Sequence, residues 1–189
     1  AVFVNKTVLL PIYEEKYDTT ALRIWRESLP GFRVIGIDCN SIIPASGAIH
    51  CITHSVGVND PMLIVHQPLH DTYDTSNDYL VSASLQHRSG INQAKLFYTI
   101  DTTQAYSEVP MTLFNSATNQ WTASIPAQAA GTEVFYFIQG IAESGKTQFR
   151  PISAPDGYWN FHVLDSGSVI TFQQEIIEKL FEVEAYPNP

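Results

Sequence analysis

VLLPIYEEKYDTTALRIWRESLPGFRVIGIDC, residues 8–39, decides the first part of the fold. Residues 8–12 form a short apolar run of the buried-strand kind. Asp18 stands where a helix N-cap would, and residues 19–29 follow with helical spacing. Ala21, Leu22, Trp25 and Leu29 fall on one face, with Arg23, Arg26 and Glu27 largely off it. Pro30-Gly31 stops the helix, and residues 32–37 make a second buried strand. Upstream, the strand-like run reaches back to Ala1 with no leader or start methionine, so the chain reads as cut from something longer. Downstream comes a loop holding Pro44, Ser46 and Gly47, then IHCIT at 49–53, read as extended. Strand, helix and strand make one βαβ-like unit. It is too small to bury its own core, with two sheet faces to cover and a single helix to cover them. Order here therefore implies a covering partner. Further repeats held in a second chain are one; the segment that follows is the other.

From residue 61 to 165 the grammar changes to strands without helices. Tyr79, Val81, Ala83 and Leu85 share a face, as do Leu96, Tyr98 and Ile100. Trp121, Ala123 and Ile125 alternate in the same way, and so do Trp159, Phe161 and Val163. In EVFYFIQGI, Val134, Tyr136 and Ile138 oppose Phe135 and Phe137, so both faces are apolar. Turn residues separate these runs at Ser89-Gly90, 115–119, Ala130-Gly131, Ser144-Gly145 and Asp156-Gly157. About seven short strands at this spacing describe an immunoglobulin-like sandwich. The expected organisation is 1–59, 60–165 and a tail at 166–189.

Composition narrows the partners. Lys+Arg number 10 against 19 Asp+Glu, a net charge of -9. Such a surface repels phosphates, which disfavours nucleic acid and anionic membrane and favours a cationic substrate. No apolar run approaches the roughly 20 residues a membrane-spanning helix needs. The two cysteines, Cys39 and Cys51, are too few for a disulfide framework; they pair with each other or stay free. Cys39 ends a strand and reads as core. A lone Cys51 would read as a small buried hydrophobe. His50…His54 and His66…His70 carry a metal-pair spacing that works only on a helix, and strand and loop are read there, so these are structural histidines. Asp71, Asp74, Asn77 and Asp78 read as a solvated acidic loop, with calcium the alternative. No cofactor and no metal are expected.

GAIHCITHSVG, residues 47–57, changes the reading of Cys51. VLLPIY, a helix, then VIGIDCNSIIPASGAIHCIT resembles the last repeat of the family of agmatine deiminases and Porphyromonas-type peptidylarginine deiminases. The order of strand, helix, strand and Gly-x-x-His-Cys element is the family's. The resemblance implies an α/β-propeller, pentein-like fold of which residues 1–59 are the final βαβ repeat. It implies that Cys51 is the nucleophile of a guanidine-modifying enzyme. It also implies that the catalytic histidine and carboxylates come from earlier repeats; the need for a covering partner suggests that these lie on a separate N-terminal fragment. Many members have a glycine run where Pro44-Ala45-Ser46-Gly47 stands here, which argues against agmatine as the substrate; the sandwich and the tail at 166–189 argue for peptide or protein arginine. In an extended IHCIT, His50 faces away from Cys51 and does not serve it.

The tail ends in AYPNP, which resembles the start of the C-terminal sorting domain of the type IX secretion pathway and implies export to the bacterial surface or medium. The leading function is thus hydrolysis of peptidyl arginine to citrulline and ammonia. The alternative is a non-catalytic immunoglobulin-like accessory or binding module, because the sandwich is over half the chain. A Cys-His protease has only the cysteine in its favour.

Overall fold

A computed structural model describes residues 1–54 and 57–165. The expected sorting tail at 166–189 lies outside them. Strands β1 (Val2–Val4) and β2 (Thr7–Ile12) form an antiparallel hairpin, turned at Asn5-Lys6 with Asn5 at φ 52°, a left-handed value asparagine tolerates. Helix α1 (Glu15–Ser28) leads to β3 (Arg33–Asp38), which lies parallel to β2, giving the sheet order β1-β2-β3. The strand–helix–strand reading holds.

The helix begins earlier than expected. Its cap is Glu14, and Asp18 lies in the first turn, where its Oδ2 accepts the Tyr13 backbone N–H at 2.7 Å. Glu15 and Lys16 are good helix formers, and Glu15 and Asp18 both suit the positive end of the helix, so the helix extends back over them. The expected apolar face is the one half-buried, with Arg23, Arg26 and Glu27 exposed. Val8, Leu10 and Val34 are buried beneath it, and Phe3 on the hairpin meets Trp25 at a 6.1 Å ring separation. No α1 side chain is fully buried, since a three-stranded sheet is too narrow to enclose a helix.

Nine strands follow among the described residues: β4 (Leu63–His66), β5 (Tyr79–Gln86), β6 (Ile91–Thr99), β7 (Ser107–Pro110), β8 (Thr112–Asn115), β9 (Gln120–Ile125), β10 (Glu133–Ala142), β11 (Thr147–Arg150) and β12 (Trp159–His162). One sheet runs β4-β5-β9-β8; the other runs β11-β10-β6-β7, with β12 also on β10. Every pairing among them is antiparallel. The two sheets face each other across one apolar core that includes Val81, Leu85, Leu96, Ile125, Val134, Tyr136, Ile138 and Phe161. The alternation read in β5, β10 and β12 is thus the alternation of burial, while in β9 only Ile125 is fully buried and Trp121 and Ala123 pack against the core half-buried. Ile100 departs from it: β6 ends at Thr99, whose hydroxyl donates to Asp101 O, and Ile100 turns outward, 56% exposed. Ala94, at the front of the same strand, points inward instead. Residues 107–115 serve both sheets, as β7 in one and β8 in the other, crossing at the buried Met111, whose N–H donates to Ala94 O.

One polar network threads this core. His66 Nδ1 lies 2.7 Å from the Ser82 carbonyl oxygen, which can only accept, so Nδ1 carries the proton. Nε2 then accepts from the Tyr136 hydroxyl at 2.9 Å, and the Leu69 N–H donates to that same oxygen at 2.8 Å. Burial holds the His66 pKa below its ordinary value and pushes Tyr136 up to about 12. A depressed histidine pKa means that the unfolded chain takes up the proton first. The stabilisation is present above the unfolded value of about 6.5 and is lost as pH falls below it towards the folded value. The melting temperature should therefore drop between pH 7 and pH 5, and drop less in His66→Gln; equal losses in the two proteins would contradict this.

Candidate active site around Cys51

After β3 the chain is tied down at once. The Cys39 N–H donates to Ile12 O, and Cys39 O accepts from the N–H groups of Ile42 and Ile43. Cys39 is fully buried and Cys51 exposed, and both are free thiols. A 3-10 turn at Ile43–Ala45 opens on Pro44, and Ser46 follows with φ 61°. A second 3-10 turn, Ile49–Ile52, carries Cys51, whose N–H donates to Ala48 O at 3.0 Å.

This turn corrects the extended reading of residues 49–53. Thr53 closes it from the far end, its hydroxyl donating to His50 O at 3.0 Å. In a 3-10 turn successive side chains sit about 120° apart rather than on opposite faces, so the alternation argument about His50 does not apply. His50 and His54 still go elsewhere. With Thr53 they line a cleft of about 730 Å³ against Val2, Val4 and Leu9, on the hairpin, and Cys51 is not in its lining.

Ser46 occupies the left-handed region, which costs a residue with a Cβ about 1–2 kcal/mol. Its hydroxyl makes no hydrogen bond among the described residues to offset that cost. Ser46→Gly should accordingly raise stability by about 0.5–1 kcal/mol, after the extra freedom glycine gives the unfolded chain. A denaturant melt checks this; a lowered midpoint would contradict it.

At the carboxyl ends of β2 and β3 lies a smaller cleft of about 340 Å³, whose lining includes Tyr13, Glu15, Asp18, Asp38 and Asn40. Asp38 Oδ1 accepts from the Asn40 N–H and from Asn40 Nδ2, both at 2.9 Å, and Nδ2 also reaches Tyr13 O at 3.0 Å. Tyr13 has its pKa raised, first by loss of solvent and then by Cys39, Asp18 and Cys51, so it lies within electrostatic reach of Cys51. Nothing in the sequence marked this group except its position, the carboxyl end of a parallel strand pair, where α/β sheets place ligands.

The other residues singled out have structural places. Asp74 Oδ1 accepts from the N–H groups of Ser76 and Asn77, and its Oδ2 from Asn77 Nδ2; these three bonds hold its pKa down. Asp71 accepts from the His162 N–H and Asp78 from the Ala127 N–H. The acidic loop thus spends its carboxylates on backbone donors. His66 is half-buried at the edge of the core, paired with Ser82 O and the Tyr136 hydroxyl.

Residues 1–56 match the family model of the Porphyromonas-type peptidyl-arginine deiminases. A putative agmatine deiminase of Marinomonas sp. (strain MWYL1) is 36% identical over 52 residues, which make up 28% of this chain and 14% of that relative. These matches support the deiminase family for the strand–helix–strand unit and its Cys51 turn. The chain spans about one seventh of the length of that relative, and the family match ends before the sandwich begins.

Proposed function

We propose that this chain is the C-terminal part of a secreted arginine deiminase and contributes its nucleophile, Cys51. The observation that carries the reading is the family match over residues 1–56, which contains the Gly47-x-x-His50-Cys51 element. An exposed thiol on a tight turn is compatible with it. A guanidinium carbon is a poor electrophile, with its charge spread over three nitrogens, and a thiolate is strong enough to attack it. The C–S bond forms, one C–N bond breaks and ammonia leaves, taking a proton from an acid. Water then adds to the thiouronium carbon, the C–S bond breaks, and the ureido product and the thiolate are released. The acid and the carboxylates that hold the cation come from earlier repeats, so the 189-residue chain by itself is inactive. On this reading residues 1–59 are the last repeat of a pentein-like propeller and residues 60–165 an immunoglobulin-like sandwich. The AYPNP ending is the export signal.

Peptidyl arginine is the proposed substrate. Pro44, Ala45 and Ser46 give a stiffer, bulkier loop than a glycine run, while an extracellular enzyme meets arginine in peptides. Full-length protein, including the preceding repeats, is assayed for ammonia and ureido product from arginine peptides, free arginine and agmatine. Turnover of peptides is the expected result. Preference for agmatine removes the substrate assignment, and no product from any guanidine removes the function. In that event the accessory-module reading stands, favoured by a two-sheet core that needs nothing from residues 1–54.

A further inference from the structure

Residues 151–157, between β11 and β12, are loop, yet Ser153 and Ala154 are each 1% exposed and Gly157 is buried as well. Loops normally run in solvent, so a buried one is covered by something. Part of the cover is the strand–helix–strand unit. Lys6 Nζ donates to Ser153 O at 3.2 Å and to Ala154 O at 2.8 Å. Gly31, at φ 77°, lies so close that a Cβ on it would sit 2.5 Å from Gly157 N, 2.8 Å from Asp156 C and 2.9 Å from Ser153 Cβ. A Cβ on Gly157 would in turn sit 2.5 Å from Pro30 O. The two backbones and the Ser153 side chain meet here so closely that neither Gly31 nor Gly157 has room for a Cβ.

The position of the contact matters as much as its closeness. Lys6 immediately precedes β2, and Gly31 lies two residues before β3; the Arg33 N–H donates to Lys6 O at 2.8 Å, joining the two turns. The loop therefore grips the amino end of the parallel pair. Tyr13, Asp38, Asn40 and the chain leading to Cys51 leave from the opposite, carboxyl end. We propose that the sandwich is a brace seated through residues 153–157 on the amino end of this unit, so that the two move as one body and the carboxyl end stays free for chemistry. The sandwich is then fixed to the strand–helix–strand unit and is not a tethered module. This holds whether or not the deiminase reading does, and its test uses no turnover.

Cys39, fully buried in the first unit, reports on its opening, and exposed Cys51 is the internal control. Alkylation by iodoacetamide is followed at each cysteine by peptide mapping in the native chain, Gly31→Ala, Lys6→Met and Gly145→Ala. Gly145 has φ 83° with nothing within 4 Å of its Cβ position, so Gly145→Ala carries the same backbone strain away from the seam. Cys39 should label about tenfold faster or more in Gly31→Ala, and measurably faster in Lys6→Met, with Gly145→Ala close to native and Cys51 alike in all. Unchanged Cys39 labelling in both seam variants, or equal acceleration in Gly145→Ala, overturns the proposal.

Discussion

Cys51→Ala in the complete enzyme should lower citrulline formation from arginine peptides by about a thousandfold or more, with little change in peptide binding. The covalent route depends on the sulfur: without it, water must attack a delocalised cation directly. Substrate binding, on the proposed reading, rests on carboxylates from earlier repeats, outside the 3-10 turn. Cys51 is exposed and packs no core, so its replacement leaves the melt essentially unchanged, and lost activity cannot be blamed on lost fold. Cys39→Ala should show the opposite pattern. Removing a fully buried sulfur opens a small cavity and costs stability at Cys39, while the chemistry stays with Cys51. Kinetics and urea melts of the two variants side by side make the check. Activity retained in Cys51→Ala would remove the nucleophile assignment.

Tyr136→Ala should destabilise the sandwich by about 3–5 kcal/mol, a large share of the stability of a domain this size. The ring is completely buried at the centre of β10, between Trp159 at 5.6 Å and Phe161 at 6.2 Å. Deleting it leaves a cavity that the β-sheets on either side cannot close. It also strands two partly buried polar groups, His66 Nε2 and the Leu69 N–H, both of which are paired with the Tyr136 hydroxyl. Tyr136→Phe isolates that second part, keeping the ring and losing the hydroxyl, at about 1–3 kcal/mol. Denaturant melts of both variants separate the two contributions. A Tyr136→Ala loss no larger than that of Tyr136→Phe would mean the ring packs far less tightly than its burial implies.

Much of this architecture could be read from residue order. Val8, Leu10 and Val34, the Trp25 face of α1 and the alternation of β5 and β10 are written in hydrophobic period, and burial follows them. What escaped carries no such period. SEVP, TLFN and TQFR are short edge strands with at most one neighbour to bury them, and all four residues of TLFN are exposed. The Cys51 turn was misread because Ile49, Ile52 and Thr53 are β-branched residues typical of strands, and a four-residue 3-10 turn is too short to show a helical period. The acidic group of Glu15, Asp18 and Asp38 is assembled by a parallel strand pairing, which leaves no local mark. Nor does the seam between Gly31 and Gly157. Each glycine reads as a turn residue, and only the tertiary approach shows why neither position accepts a side chain.

The central claim, that Cys51 forms a bond to the guanidine carbon, is tested most directly by trapping that bond. Full-length enzyme is mixed with an arginine peptide, quenched in acid within the first turnover, digested and mapped by mass spectrometry. The proposed chemistry predicts a thiouronium adduct on the peptide containing Cys51, retaining the substrate's carbon and one fewer nitrogen, and absent from Cys51→Ala. Steady citrulline production with the adduct on another residue, or with Cys51 unmodified under conditions that trap intermediates, would contradict it.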